Sequence, residues 1–141
     1  MIRQLGDEQD WKEIMPHIVA LPQSDIICLE GELGAGKTSF AKAFCQFIGV
    51  ADIVQSPTYS IVNTYLYKGD GVERVVYHLD LYRLNSTDEL LQIGFEDILD
   101  SADRLLIEWP ALAMPFLDQF VHVKITAREE GCREVVIGQN A

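Results

Sequence analysis

Apolar residues recur along this chain in helical, alternating and continuous patterns, and each pattern predicts a different element. In DEQDWKEIMPHIVALP, residues 7–22, Trp11, Ile14, Ile18 and Val19 fall near helical spacing after an acidic start; this predicts an N-terminal helix that Pro16 would kink. SDIICLEG, residues 24–31, is a short apolar run closed by a turn and predicts a strand. After a glycine-rich stretch, KTSFAKAFCQFIGV, residues 37–50, places Phe40, Ala43, Phe44 and Phe47 on one helical face. Residues 56–84 read as two β-rich runs joined at Lys68-Gly69-Asp70-Gly71, an Asp-Gly hairpin turn. Ser86-Thr87-Asp88-Glu89 is a capping-box pattern that opens a helix running to about Leu99. RLLIEWP, residues 104–110, predicts a buried strand stopped by Pro110, and residues 120–138 alternate as a second hairpin.

Strands interleaved with helices predict an α/β fold in a single domain over residues 1–141, with a sheet flanked by helices and antiparallel hairpin strands added to it. Ligands of such a sheet bind at the carboxyl ends of the strands. The glycine stretch lies at one of those ends, in LEGELGAGKTSF, residues 29–40. Gly31, four intervening residues and then Gly36-Lys37-Thr38 match the spacing of a phosphate-binding loop. The chemistry requires these residue types. Gly34, Ala35 and Gly36 leave backbone N–H groups free to converge on phosphate oxygens, and the helix that follows adds the positive end of its dipole. Lys37 is placed to reach the β- and γ-phosphates, with Thr38 as a magnesium ligand and Ser39 beside it. A plain strand-to-helix turn would explain the glycines but not a lysine and a threonine at the helix start.

Magnesium takes oxygen ligands, so a carboxylate at the end of a neighbouring strand is expected beside Thr38. Two residues qualify. Glu108 ends Leu105-Leu106-Ile107, and Asp80 ends Val75-Val76-Tyr77-His78-Leu79. Spacing alone does not rank them; Glu108 is taken as the metal-side acid, directly or through water, and Asp80 as a second acid near the metal or the attacking water, with exchange of the two roles left open. Arg83, three residues after Asp80, suits either an internal arginine finger or a surface salt bridge. His17, His78 and His122 have no companion ligands at metal spacing and read as structural.

With 22 acidic and 11 basic side chains the net charge is −11, and no two basic residues are adjacent. An extended phosphate-neutralising surface is therefore not expected, and neither is direct, high-affinity binding of nucleic acid. Cys28, Cys45 and Cys132 form no CxxC pair and predict reduced, buried thiols. No apolar stretch reaches signal-peptide or membrane-spanning length, which predicts a cytoplasmic protein without a membrane partner.

GELGAGKTSF, SPTYSIVNTY, YHLDLYRL and IEWP, in this order over about residues 8–110, resemble the motifs of the TsaE family, formerly YjeE. The resemblance implies a small, single-domain P-loop NTPase-like fold, that of a bacterial ATPase of tRNA threonylcarbamoyladenosine biosynthesis that binds ATP with Mg2+ and hydrolyses it slowly. It also implies a partner assembly, TsaD with TsaB, that transfers threonylcarbamoyl to adenosine 37 of tRNAs reading codons that begin with A. Carried onto this chain, Gly34 to Thr38 hold the phosphates, and Thr38 and Glu108 serve magnesium. Thr58, in the switch-like Ser56-Pro57-Thr58, senses the γ-phosphate. Asp80 and Trp109 match the HxDLYR and EWP motifs, and Glu8 approaches the base end of the nucleotide. Beyond Pro110 no family motif is recognised. A small-molecule kinase is the alternative, although residues 94–110 contain one arginine, Arg104, and no lid insertion; a GTPase would need an NKxD tetrapeptide, which is absent. A module that holds nucleotide without hydrolysing it would survive if both acids proved dispensable.

Overall fold

In the computed structural model, residues 2–6, 8–55, 61–128 and 131–140 are described. The strands are β1 (Ile2–Leu5), β2 (Ile26–Glu30), β3 (Val62–Gly69), β4 (Val72–Asp80), β5 (Arg104–Glu108), β6 (Phe120–Ala127) and β7 (Arg133–Asn140). The helices are α1 (Glu8–Val19), α2 (Lys37–Ile48), α3 (Thr87–Gln92) and α4 (Phe95–Ser101), with short 3-10 turns at Pro110–Leu112 and Met114–Phe116.

One seven-stranded sheet runs in the order β1-β7-β6-β2-β5-β4-β3. Its centre is parallel, β6 with β2, β2 with β5 and β5 with β4. Both margins are antiparallel, β3 on β4 at one side and β1-β7-β6 at the other. This is the α/β sheet with added hairpins that the sequence pattern predicts. The central strands are apolar on both faces because helices cover both. Ile27, Leu29 and Leu106 point into a core with Trp11, Ile14, Ile18, Phe40 and Phe44 of α1 and α2. Cys28, Leu105 and Ile107 point the other way, into a second core with Leu90, Phe95 and Ile98 of α3 and α4. The two-residue alternation of a strand thus assigns each side chain of β2 and β5 to one layer.

Local signals place several boundaries. At the β3–β4 turn, Asp70 and Gly71 both take positive φ, 55° and 75°, the primed turn whose twist suits a hairpin. Ser86 Oγ accepts from the Glu89 amide at 3.2 Å, while the Glu89 carboxylate accepts from the Asn85 amide at 3.2 Å.

The structure departs from the predicted elements at four points. The helix expected from Ser86 to about Leu99 is two, because Gly94 turns left-handed at φ 83° and separates α3 from α4. Helix α1 continues through Pro16 as one helix to Val19. Phe47 is half exposed rather than buried with Phe40 and Phe44. The short β1 has no counterpart in the sequence pattern; it exists by pairing Ile2–Leu5 with β7. All three cysteines are free, but Cys132 is only half-buried. Burial pushes the thiols of Cys28 and Cys45 up to about 12. No helix among the described residues is long and apolar enough to cross a membrane.

Candidate functional site

The carboxyl ends of β2, β5 and β4 lie side by side, and their continuations bound a cleft of about 450 Å³. Gly34, Gly36, Lys37, Thr38 and Ser39 line it from the loop and the first turn of α2, with Asp80, Glu108 and Trp109 opposite. The register accounts for the acids: Asp80 pairs with Glu108, and Glu108 with Leu29, so three strand ends finish level. Glu108 lies two residues beyond Leu106, and Leu106 belongs to the α1/α2 core, so strand alternation aims Glu108 towards the face that carries α2.

The loop fits closely on the sheet. A Cβ built on Gly31 would lie 2.7 Å from the Ile125 carbonyl oxygen of β6, so only glycine allows this approach. Gly36 has φ 120° and caps α2 without a side chain, and no acidic residue occupies the first turn. The first turn of α2 thus brings no carboxylate of its own to the positive end of the helix dipole. Ala35 is buried beneath the loop, and like Gly31 it supports the cleft rather than lining it.

Lys37 Nζ donates to the carbonyls of Gly31 and Glu32 and lies 4.2 Å from the centre of the Trp109 ring. Burial lowers its pKa, against the opposing pull of Glu108, Asp80 and Glu32. Trp109 holds a left-handed backbone, φ 55° and ψ 61°, a conformation that costs an aromatic residue energy. Its amide donates to Leu29 O at 3.2 Å, and its ring lies 4.9 Å from that of Tyr82. Strain concentrated between the lysine and the second strand end is typical of a functional site.

The two acids sit in different surroundings. Glu108 is 2% exposed, and its Oε2 lies 2.6 Å from Nε2 of the fully buried His78. This short contact ties the imidazole and the carboxyl group together across β4 and β5. Asp80 is half-buried and Oδ1 accepts from the Tyr82 amide at 3.0 Å. Burial raises its pKa and Glu108 adds to the rise, while the Tyr82 amide, His78 and Lys37 oppose it.

Thr58, with Ser56 and Pro57, lies outside the described residues, and the side chain of Glu8 is likewise outside them. His78, read from sequence as structural, is fully buried and touches a site acid. Leu33, Ile61, Tyr82, Arg83 and Arg133 also line the cleft. Arg83, for which the sequence left an arginine finger and a surface salt bridge open, follows the strand end that carries Asp80 and does line the cleft, and the place of Tyr82 could have been read from the same motif; Arg133 belongs to β7 and carries no motif signal. Among the described residues, no group of three or more His, Cys, Asp and Glu is arranged to hold a metal. One hydroxyl and two carboxylates suit magnesium all the same, because that ion keeps several waters and shares phosphate oxygens instead of filling an all-protein cage.

The sheet and cleft thus define an α/β protein with a glycine loop, a lysine and two strand-end acids facing one another. The profile of the family described as "Threonylcarbamoyl adenosine biosynthesis protein TsaE" matches residues 5–135. A tRNA threonylcarbamoyladenosine biosynthesis protein TsaE from Borreliella burgdorferi is 37% identical over 117 residues, 82% of each chain. The protein of the same name from Bacillus subtilis is 40% identical over 95 residues, 67% of this chain and 56% of that relative. The crystal structure of Bacillus subtilis YdiB superposes with a TM-score of 0.75 at 26% identity, covering 100% of this chain and 86% of that one. The chain belongs to the TsaE family, whose members are named for threonylcarbamoyladenosine biosynthesis on tRNA.

Proposed function

We propose that this chain is a Mg2+-dependent ATPase required for threonylcarbamoyl modification of tRNA adenosine 37, and that its nucleotide state governs its interaction with a TsaD–TsaB complex. The observation that carries the proposal is the convergence of Lys37, Thr38, Asp80 and Glu108 on one cleft beneath a glycine loop. In this role the loop amides and Lys37 bind and orient the phosphates, and the ammonium offsets charge as it develops on the transferred group. Thr38 and Glu108 would hold magnesium, which supplies further charge neutralisation at the phosphate oxygens.

Asp80 is the better candidate to orient the attacking water. Burial raises its pKa, which favours acceptance of a proton, and it is less enclosed than Glu108. Glu108, held by His78, is a fixed carboxylate suited to the metal side. The net charge of −11 supports action through a protein partner with a basic surface instead of direct contact with tRNA.

The test is phosphate release from ATP with magnesium by the purified chain, alone and with a TsaD–TsaB complex, with Glu108→Ala as control. The proposal expects little activity alone and a clear rise with the complex. A rate that the complex leaves unchanged, with phosphate transferred to a small metabolite, would replace it with the kinase reading.

A further inference from the structure

Strand β3 ends the sheet on the side away from β1, and no strand among the described residues pairs with its outer edge. The Asp80 amide donates to Ile61 O at 3.0 Å, and from there the register runs one to one from Val62↔Leu79 to Gly69↔Val72. Residues that exchange hydrogen bonds alternate along an antiparallel pair, so Asn63, Tyr65 and Tyr67 direct their amides and carbonyls to β4. Those of Thr64, Leu66 and Lys68 point outward, and none of these three makes a backbone hydrogen bond to a described residue. Their side chains are exposed too, Leu66 by 52%, while Tyr65 and Tyr67 turn the other way into the α1/α2 core.

An open edge is a template for another strand, and natural sheets blunt it with a short strand, proline, a bulge or charge. β3 is eight residues long, contains no proline and pairs with β4 without a bulge. Its one charged residue, Lys68, stands directly opposite Glu73 of β4, which offsets it. We infer that β3 joins the β3 of a second copy of this chain, antiparallel about a two-fold axis at Leu66, so that the two sheets continue as one. Self-complementarity is what selects a second copy. In this register Leu66 faces Leu66 and Thr64 faces Lys68, twice over by symmetry, and every outward amide and carbonyl of the three residues finds a partner. Val75, half-buried beside Leu66 on β4, extends the central pair into an apolar row of four side chains across the joint. The two lysines end four residues apart along the strands, roughly 13 Å, so like charges do not meet. An axis at Lys68 would instead set them face to face. The joint lies three strands from β2 and its glycine loop, at the margin of the sheet. A strand edge buries less than a standard interface, so the association is weak, with a dissociation constant on the order of 10 μM. Two chains of net charge −11 also repel one another, and salt should strengthen the pairing by screening them.

The test is sedimentation equilibrium of the full chain from about 1 to about 500 μM, at low and at physiological salt. The parent should pass from monomer to dimer over this range, more readily at the higher salt. Leu66→Lys should weaken association about tenfold or more, and Leu66→Ile should preserve it. Thr64 reads the register. Thr64→Lys sets like charges opposite one another and should weaken the dimer, whereas Thr64→Glu faces Lys68 and should hold or tighten it. Net charge alone gives the reverse order, because the added lysine lowers the repulsion between chains and the added glutamate raises it. Both positions are exposed, so unchanged melting temperatures show that the monomer is intact. A parent that stays monomeric throughout would overturn the inference. So would a Thr64→Glu dimer weaker than that of Thr64→Lys, or association lost in Ile2→Lys, at the other margin of the sheet, and untouched by Leu66→Lys.

Discussion

Replacing His78 with leucine should destabilise the protein through a group 30 residues away. His78 is 0% exposed and Glu108 2%, and their side chains meet at 2.6 Å. Leucine fills much of the space of the imidazole but offers no donor, so the Glu108 carboxyl stays in the interior without the partner that faces it from β4. Removing one member of a buried pair costs about 3–5 kcal/mol, because the remaining group keeps its desolvation penalty. Against a total stability of about 5–15 kcal/mol, this is a large fraction, and the melting temperature should fall on the order of 10 °C. The assay is urea unfolding followed by tryptophan fluorescence, read as a lower midpoint at constant slope. The double variant His78→Leu/Glu108→Met removes both polar groups and should recover much of the loss. A cost below about 1 kcal/mol for His78→Leu, or a double variant whose cost is the sum of the two singles, would refute the coupling.

Glu108→Gln keeps an acceptor for His78 and should preserve the fold and nucleotide affinity while lowering turnover about 100-fold or more, checked by phosphate release beside calorimetry; unaltered turnover would remove Glu108 from the chemistry. Asp80 follows the opposite sign from a salt-bridged acid: its folded pKa is raised, so its ionisation costs stability as pH rises through that folded value. Asp80→Asn should therefore melt above the parent at neutral pH, and the gap should close as the pH falls below the ordinary value of 3.8; a gap that widens on acidification would contradict this. Gly31→Ala must place a methyl 2.7 Å from the Ile125 carbonyl oxygen and 3.1 Å from Ala35 Cβ, and should cost about 1–3 kcal/mol with a displaced loop. Unchanged melting and unchanged MgADP affinity in that variant would show that the strand and loop absorb the contact freely.

What the sequence determined by itself is what acts within a turn or two of chain. The glycine loop before α2, the Asp70-Gly71 hairpin and the Ser86 cap each depend on side chains and amides a few residues apart, so their chemistry is written in contiguous letters. The placement of Asp80 and Glu108 at strand ends was equally legible, since an apolar run that ends in an acid delivers that acid to the sheet edge. Tertiary structure alone decided which of these features meet. β4 and β5 are parallel neighbours in one register, and this brings His78 to Glu108 and Asp80 level with it. β6 and β7 fold to the far side of β2, and this carries Arg133 to Gly36 across almost 100 residues of chain. β1, four residues long, is too short to show a period and forms only where β7 offers it an edge. Strand order and register are set by the summed burial of two cores, in which no single residue type carries the signal, so these distant contacts leave no local mark in the sequence.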